Sequence, residues 1–172
     1  MEDTWIKEFR HIQIDMLKQF ISICNDNQLR YYLLGGSCLG AVRHAGFIPW
    51  DDDIDVGMPR EDFERFSAIA KEQLPEHLFF QTNISDPEYI NVFAKLRNSN
   101  TTYIETSAKK LNINHGVYID IFPLDGISNN HFYHKIDKAT VRLYNVIISQ
   151  NYISSIVAPK EKVLKRYIKK AI

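Results

Sequence analysis

Between Pro49 and Val56 the chain sets Asp51, Asp52, Asp53 and Asp55 among Trp50, Ile54 and Val56, side chains of core character. Most charge runs are solvated turns, but the apolar flanks here argue for a segment anchored in the fold. Read as a strand, Asp53-Ile54-Asp55-Val56 alternates between two faces. Ile54 and Val56 point inward. Asp53 and Asp55 share the other face, roughly 6.5–7 Å apart along the backbone. Like charges held this close destabilise a fold unless something neutralises them. A hard divalent cation does so, and carboxylate oxygens are the ligands Mg²⁺ prefers. Asp51 and Asp52 are then placed to orient waters around the ion.

The 172 residues suffice for one domain with a real core, and 45% hydrophobic content is globular rather than disordered. Lys plus Arg balances Asp plus Glu at 21 each, which disfavours a protein that coats nucleic acid. Cys24 and Cys38 have no zinc spacing and suit a reducing compartment. The first residues carry no signal-peptide pattern, and no apolar run approaches the ~20 residues that span a bilayer. A cytoplasmic protein is expected.

Trp5, Phe9, Ile12, Met16, Phe20 and Cys24 recur at helical spacing and predict a helix to about Asn25. Tyr31 to Leu34 reads as a short buried strand, and Ser37 as the N-cap of a helix over Cys38 to Arg43. Pro59 closes the acidic strand and opens a helix with Phe63, Phe66, Ile69, Ala70 and Leu74 on one stripe. Leu78 to Gln81 predicts a strand. Asn91 to Arg97 and Thr102 to Glu105 predict a hairpin, and Val117 to Phe122 a strand stopped by Pro123. From His131 the pattern is helical.

Three pieces bear on chemistry. Gly35 and Gly36 let the backbone approach a ligand closely, the amides at the following helix start can hold an anion, and Ser37 can add a hydroxyl contact to phosphate. A Gly-Gly turn alone is more often only a tight turn. The second piece is the Asp53/Asp55 pair. The third is Asp120, a poor strand former isolated among Ile119, Ile121 and Phe122. It reads as a third metal ligand or a general base. Lys95 and Arg97 share one strand face and, with Arg43, are candidates to grip phosphate. Trp50 is a core anchor or a stacking surface for a base, and His44 an ordinary loop histidine or a proton donor.

A glycine-serine turn, two carboxylates on a strand and a third on a later strand is the pattern of the nucleotidyltransferase fold. More narrowly, Arg43-His44-Ala45-Gly46-Phe47-Ile48-Pro49-Trp50-Asp51-Asp52-Asp53-Ile54-Asp55-Val56 closely resembles the LicD family, as does Tyr118-Ile119-Asp120-Ile121-Phe122-Pro123-Leu124-Asp125. That family, related to the fukutin proteins, is one of phosphocholine or similar phospho-headgroup transferases. The resemblance runs from about Leu33 to Asp125. It implies an α+β fold, a nucleotidyltransferase-like mixed β-sheet flanked by helices. It also implies Mg²⁺ dependence (with Mn²⁺ as the alternative ion), a cytidine-diphosphate donor and a cell-surface glycan acceptor such as lipopolysaccharide, teichoic acid or capsule. On this reading the chain is one domain, with a catalytic core over 1–125 and a helical part over 126–172. Family members are expected to carry roughly a hundred further residues with a Tyr-Gly-Asp-Tyr-like segment, so a truncated form is one expectation here.

Rival readings have their own signals. An EF-hand template is met at Asp51, Asp53 and Asp55, then fails at Val56, Pro59 and Asp62. A transferase that moves a nucleotide would use the same acidic triad, and a non-catalytic nucleotide- or metal-binding module remains open. Finally, Lys160, Lys162, Lys165, Arg166, Lys169 and Lys170 give the last segment a basic helical face. It is either a solvated packing helix or a peripheral contact with the inner membrane surface, where a lipid-linked acceptor would lie.

Overall fold

The structure, a computed structural model, describes residues 4–156. The basic segment expected to be helical over 160–172 lies outside the described residues. The chain divides into two compact units, Met1–Asp125 and Gly126–Ile172. In the second, α4 covers His131–Ile156.

The first unit is a mixed five-stranded sheet with helices, the expected α+β class. Its elements are α1 (Thr4–Asp26), β1 (Tyr32–Leu33), α2 (Gly35–His44), β2 (Asp55–Pro59), α3 (Arg60–Gln73), β3 (Leu78–Gln81), β4 (Ala94–Asn98) and β5 (Val117–Leu124). The strand order is β1-β2-β5-β4-β3, with β2 and β5 parallel and the other pairs antiparallel. One sheet face is apolar. Ile54, Val56, Met58, Leu96, Ile119 and Ile121 are buried there with Phe20 of α1 and Phe66 of α3, whose rings lie 5.0 Å apart. The helical stripes behave as their spacing predicts, except that Trp5 is largely exposed and meets Phe9 edge-on at 6.5 Å.

Four local expectations are corrected. Residues 102–105 form no strand, because both edges of β4 are already taken by β3 and β5. The segment is held instead by the Tyr103 amide donating to the His115 carbonyl at 2.6 Å. Pro123 does not stop β5, which continues to Leu124. Pairing with β4 ends at Ile121, so the missing Pro123 N–H costs no bond on that side. Ser37 is not the N-cap. The cap is extended Leu34, and α2 already includes Gly35 and Gly36. Asp53 precedes β2, although pairing starts just after it, where the Asp120 amide donates to the Ile54 carbonyl at 2.8 Å.

Candidate active site

The other sheet face carries a polar row. Register sets Asp55 opposite Asp120, Asp120 opposite Lys95, and Lys95 opposite Gln81. Neighbouring strands lie about 4.8 Å apart, so these side chains rise side by side. The parallel pairing of β2 with β5 thus brings together two carboxylates from distant parts of the sequence.

Beyond the strand end lies the acidic loop. Carboxylate oxygens of Asp51, Asp52 and Asp53 come within 4.8 Å of one another. This grouping differs from the expected ligand set of Asp53, Asp55 and Asp120. Asp51 and Asp52, expected to act through waters, stand directly beside Asp53. Burial, then the charges of Asp55 and Asp51, push the Asp53 acid up to about 6. Asp55 is raised by burial and by Asp51, with Lys95 opposing. The acids crowd without enough counter-charge, and their hard oxygen donors fit a divalent cation.

Asp120 is balanced differently. Burial pushes it up to about 6, against the pull of Lys95, whose Nζ lies 2.9 Å from Oδ1. Burial lowers the Lys95 ammonium pKa, while Asp120 and Glu105 act to keep it charged. Its Nζ also lies 3.2 Å from the centre of the Tyr118 ring. Glu105 went unnoticed in the sequence, yet it joins the group. It meets Lys95 Nζ at 3.5 Å and Arg97 Nη2 at 2.9 Å, and accepts from the Tyr118 hydroxyl at 3.2 Å. Burial would raise the Glu105 acid, but Lys95, Arg97 and Tyr118 together hold it below the usual range. Two cations and two carboxylates therefore neutralise one another, which leaves the acidic loop as the uncompensated charge.

Arg97 is engaged by other partners. It is fully buried and donates to Gln81 Oε1 at 2.8 Å, the Gly116 carbonyl at 2.9 Å and Glu105 Oε2. A phosphate could reach it only by displacing these partners. Arg43 is exposed on the last turn of α2, with its Nε 3.1 Å from His44 Nε2, and Trp50 is 79% exposed. The Tyr103 hydroxyl, also missed in the sequence, lies 3.4 Å from Asp52 Oδ2.

The start of α2 closes the group. Ser37 Oγ accepts from the Asp55 amide at 2.9 Å, which joins helix to strand. Gly35 sits at φ +47, and a Cβ there would lie 3.5 Å from Asp55 Oδ2. A Cβ on Gly36 would lie 2.3 Å from Asp51 Oδ2. Gly36 thus makes room for the Asp51 carboxylate, while Gly35 supplies a left-handed backbone, both beside helix amides that lack intrahelical partners. Gly36→Ala should therefore displace the Asp51 side chain. We expect at least a tenfold weaker Mn²⁺ affinity with a melting temperature within a few degrees of wild type, measured by titration calorimetry and thermal denaturation. A large stability loss with unchanged affinity would make the turn structural only.

Residues 28–159 match the family model LicD/FKTN/FKRP, nucleotidyltransferase domain. The chain belongs to this family. It is 32% identical over 130 residues to the lipopolysaccharide cholinephosphotransferase LicD of Haemophilus influenzae, over 75% of this chain and 48% of that protein. It is also 59% identical over 34 residues to the ribitol 5-phosphate transferase FKRP of Homo sapiens, over 20% of this chain and 7% of that protein. The chain thus spans about half the length of the LicD relative, at 48%. No helix among the described residues is long and apolar enough to cross a membrane.

Proposed function

We propose that the domain transfers phosphocholine, or a similar phospho-headgroup, from a cytidine-diphosphate donor to a hydroxyl of a cell-surface glycan. The carrying observation is the register of Asp55 against Asp120 and Lys95, beside the three converging carboxylates of the loop. Family membership and the names of the two transferase relatives support the reaction class. The glycan acceptor would be presented at the inner membrane face.

Asp51, Asp52 and Asp53, with Asp55 beside them, would hold Mg²⁺ or Mn²⁺. Such an ion supplies charge to phosphate oxygens as a Lewis acid. The free amides of α2 orient the anionic donor from the helix side. Asp120, with a pKa of about 6, is ionised at neutral pH and poised to accept the proton of the attacking hydroxyl. Lys95 holds that carboxylate in place and limits the rise that burial causes.

The test is release of CMP from CDP-choline, CDP-ribitol and CDP-glycerol by the full chain. Release should occur with at least one donor, require Mg²⁺ or Mn²⁺, and stop with chelator. Metal-dependent release of pyrophosphate from a nucleoside triphosphate, with no CMP from any donor, would instead assign nucleotide transfer.

A further inference from the structure

The acidic loop has little structure of its own. Its one internal backbone bond runs from the Asp51 amide to the Ile48 carbonyl at 3.0 Å. Yet it holds three carboxylates together against their mutual repulsion. The restraint comes from α1. Arg10 Nη2 donates to the carbonyls of Ile48 at 3.0 Å, Pro49 at 2.9 Å and Asp51 at 2.6 Å. The Arg10 guanidinium also lies over the Phe47 ring, 5.0 Å from its centre. Gln13 is fully buried, and its Nε2 donates to the carbonyls of Asp52 and Tyr118, both at 3.0 Å.

These bonds fix particular peptide planes. Asp52 lies between two of them, one held by Arg10 and the other by Gln13, so the direction of its Cβ is set. Asp53 follows a plane held by Gln13 and precedes Ile54, whose carbonyl is taken by Asp120. Gln13 also joins the loop to β5 two residues before Asp120. Both α1 residues lie outside the stretch matched by the family model, which begins at residue 28.

We propose that Arg10 and Gln13 are positioning residues of the site. They hold residues 48–52 so that the loop carboxylates converge, and Gln13 locks the loop to the strand that carries Asp120. The proposal rests on the transferase reading only in taking these carboxylates as the working groups. Its rival is simple packing, since Phe9, Met16 and Phe20 bury the same helix against the sheet.

Gln13→Met keeps the volume and removes both donated bonds. Arg10→Lys keeps the charge but replaces the planar fork by a point donor. Backbone ¹⁵N relaxation on the full chain reads the loop without metal or donor. Wild type should show order parameters near 0.85 across 48–53, and each variant values below about 0.6 there, with β4 and β5 unchanged. Mn²⁺ affinity, measured on the same samples, should fall at least tenfold. If Gln13→Met does not fold, Arg10→Lys alone decides. A loop as rigid as wild type with unchanged Mn²⁺ affinity, even at a lower melting temperature, would overturn the proposal. A wild type that binds no Mn²⁺, with order still lost in both variants, would remove the metal reading and leave the positioning role standing.

Discussion

Asp53→Asn should lower transfer by about 10³-fold or more, because the proposed mechanism draws several kcal/mol of charge stabilisation at the phosphates from an ion that this carboxylate would help to hold. The fold should not suffer. Asp53 crowds against Asp51, Asp52 and Asp55, and the amide keeps its shape while removing one of the repelling charges. The pH dependence follows from its raised pKa. A carboxyl whose folded value, about 6, exceeds its unfolded value binds its proton more tightly in the folded protein. Its stabilising contribution is complete below the unfolded value near 4 and is lost as pH rises through about 6. Metal-free wild type should therefore gain from this group on going from pH 7.5 to pH 5. Asp53→Asn should show a flatter profile and melt no lower than wild type at pH 7.5. Asp120, raised by burial to about 6, keeps part of the dependence. Wild-type turnover in Asp53→Asn at matched Mg²⁺ would take the cation out of the account.

Arg97→Met should have the largest effect on stability. The change leaves Gln81 Oε1 and the Gly116 carbonyl without the donor they now have, and deprives half-buried Glu105 of its closer cation. Breaking a buried ion pair by removing one partner costs about 3–5 kcal/mol. At roughly 2–4 °C per kcal/mol for a chain of this size, the melting temperature should fall by on the order of 10 °C. Donor KM in the folded fraction should stay within about twofold of wild type, since the guanidinium is sealed from solvent. A tenfold rise in donor KM without loss of stability would restore the phosphate grip that the strand pattern suggested for Arg97.

The parts legible in sequence are those with a local contradiction. Aspartates alternating with Ile54 and Val56, and Asp120 set within an apolar strand, announce themselves because the backbone period places them on one face while their chemistry resists burial. Glu105 had no such local signal. Its neighbours Tyr103 and Ile104 show no clear period, and its partners reach it across strand pairings. One clue was available: Lys95 and Arg97 on one face of a buried strand require a carboxylate nearby. The hairpin expected between 91–97 and 102–105 failed for a related reason, since local pattern does not reveal that both edges of β4 are occupied. Gln13 did leave a trace. It interrupts the apolar stripe of Phe9, Met16 and Phe20, where a polar residue needs partners, and the carbonyls of Asp52 and Tyr118 provide them. Ser37 was a reasonable cap by residue type, but α2 starts two residues earlier and its hydroxyl takes the Asp55 amide instead.

The most direct measurement is Mn²⁺ titration of the full chain at pH 7.5, followed by electron paramagnetic resonance, with Asp53→Asn and Asp55→Asn in parallel. The account predicts saturable binding by wild type, competition by Mg²⁺, and at least a tenfold loss of affinity in each variant. Absence of binding by folded wild type, or equal affinity in all three proteins, would contradict it.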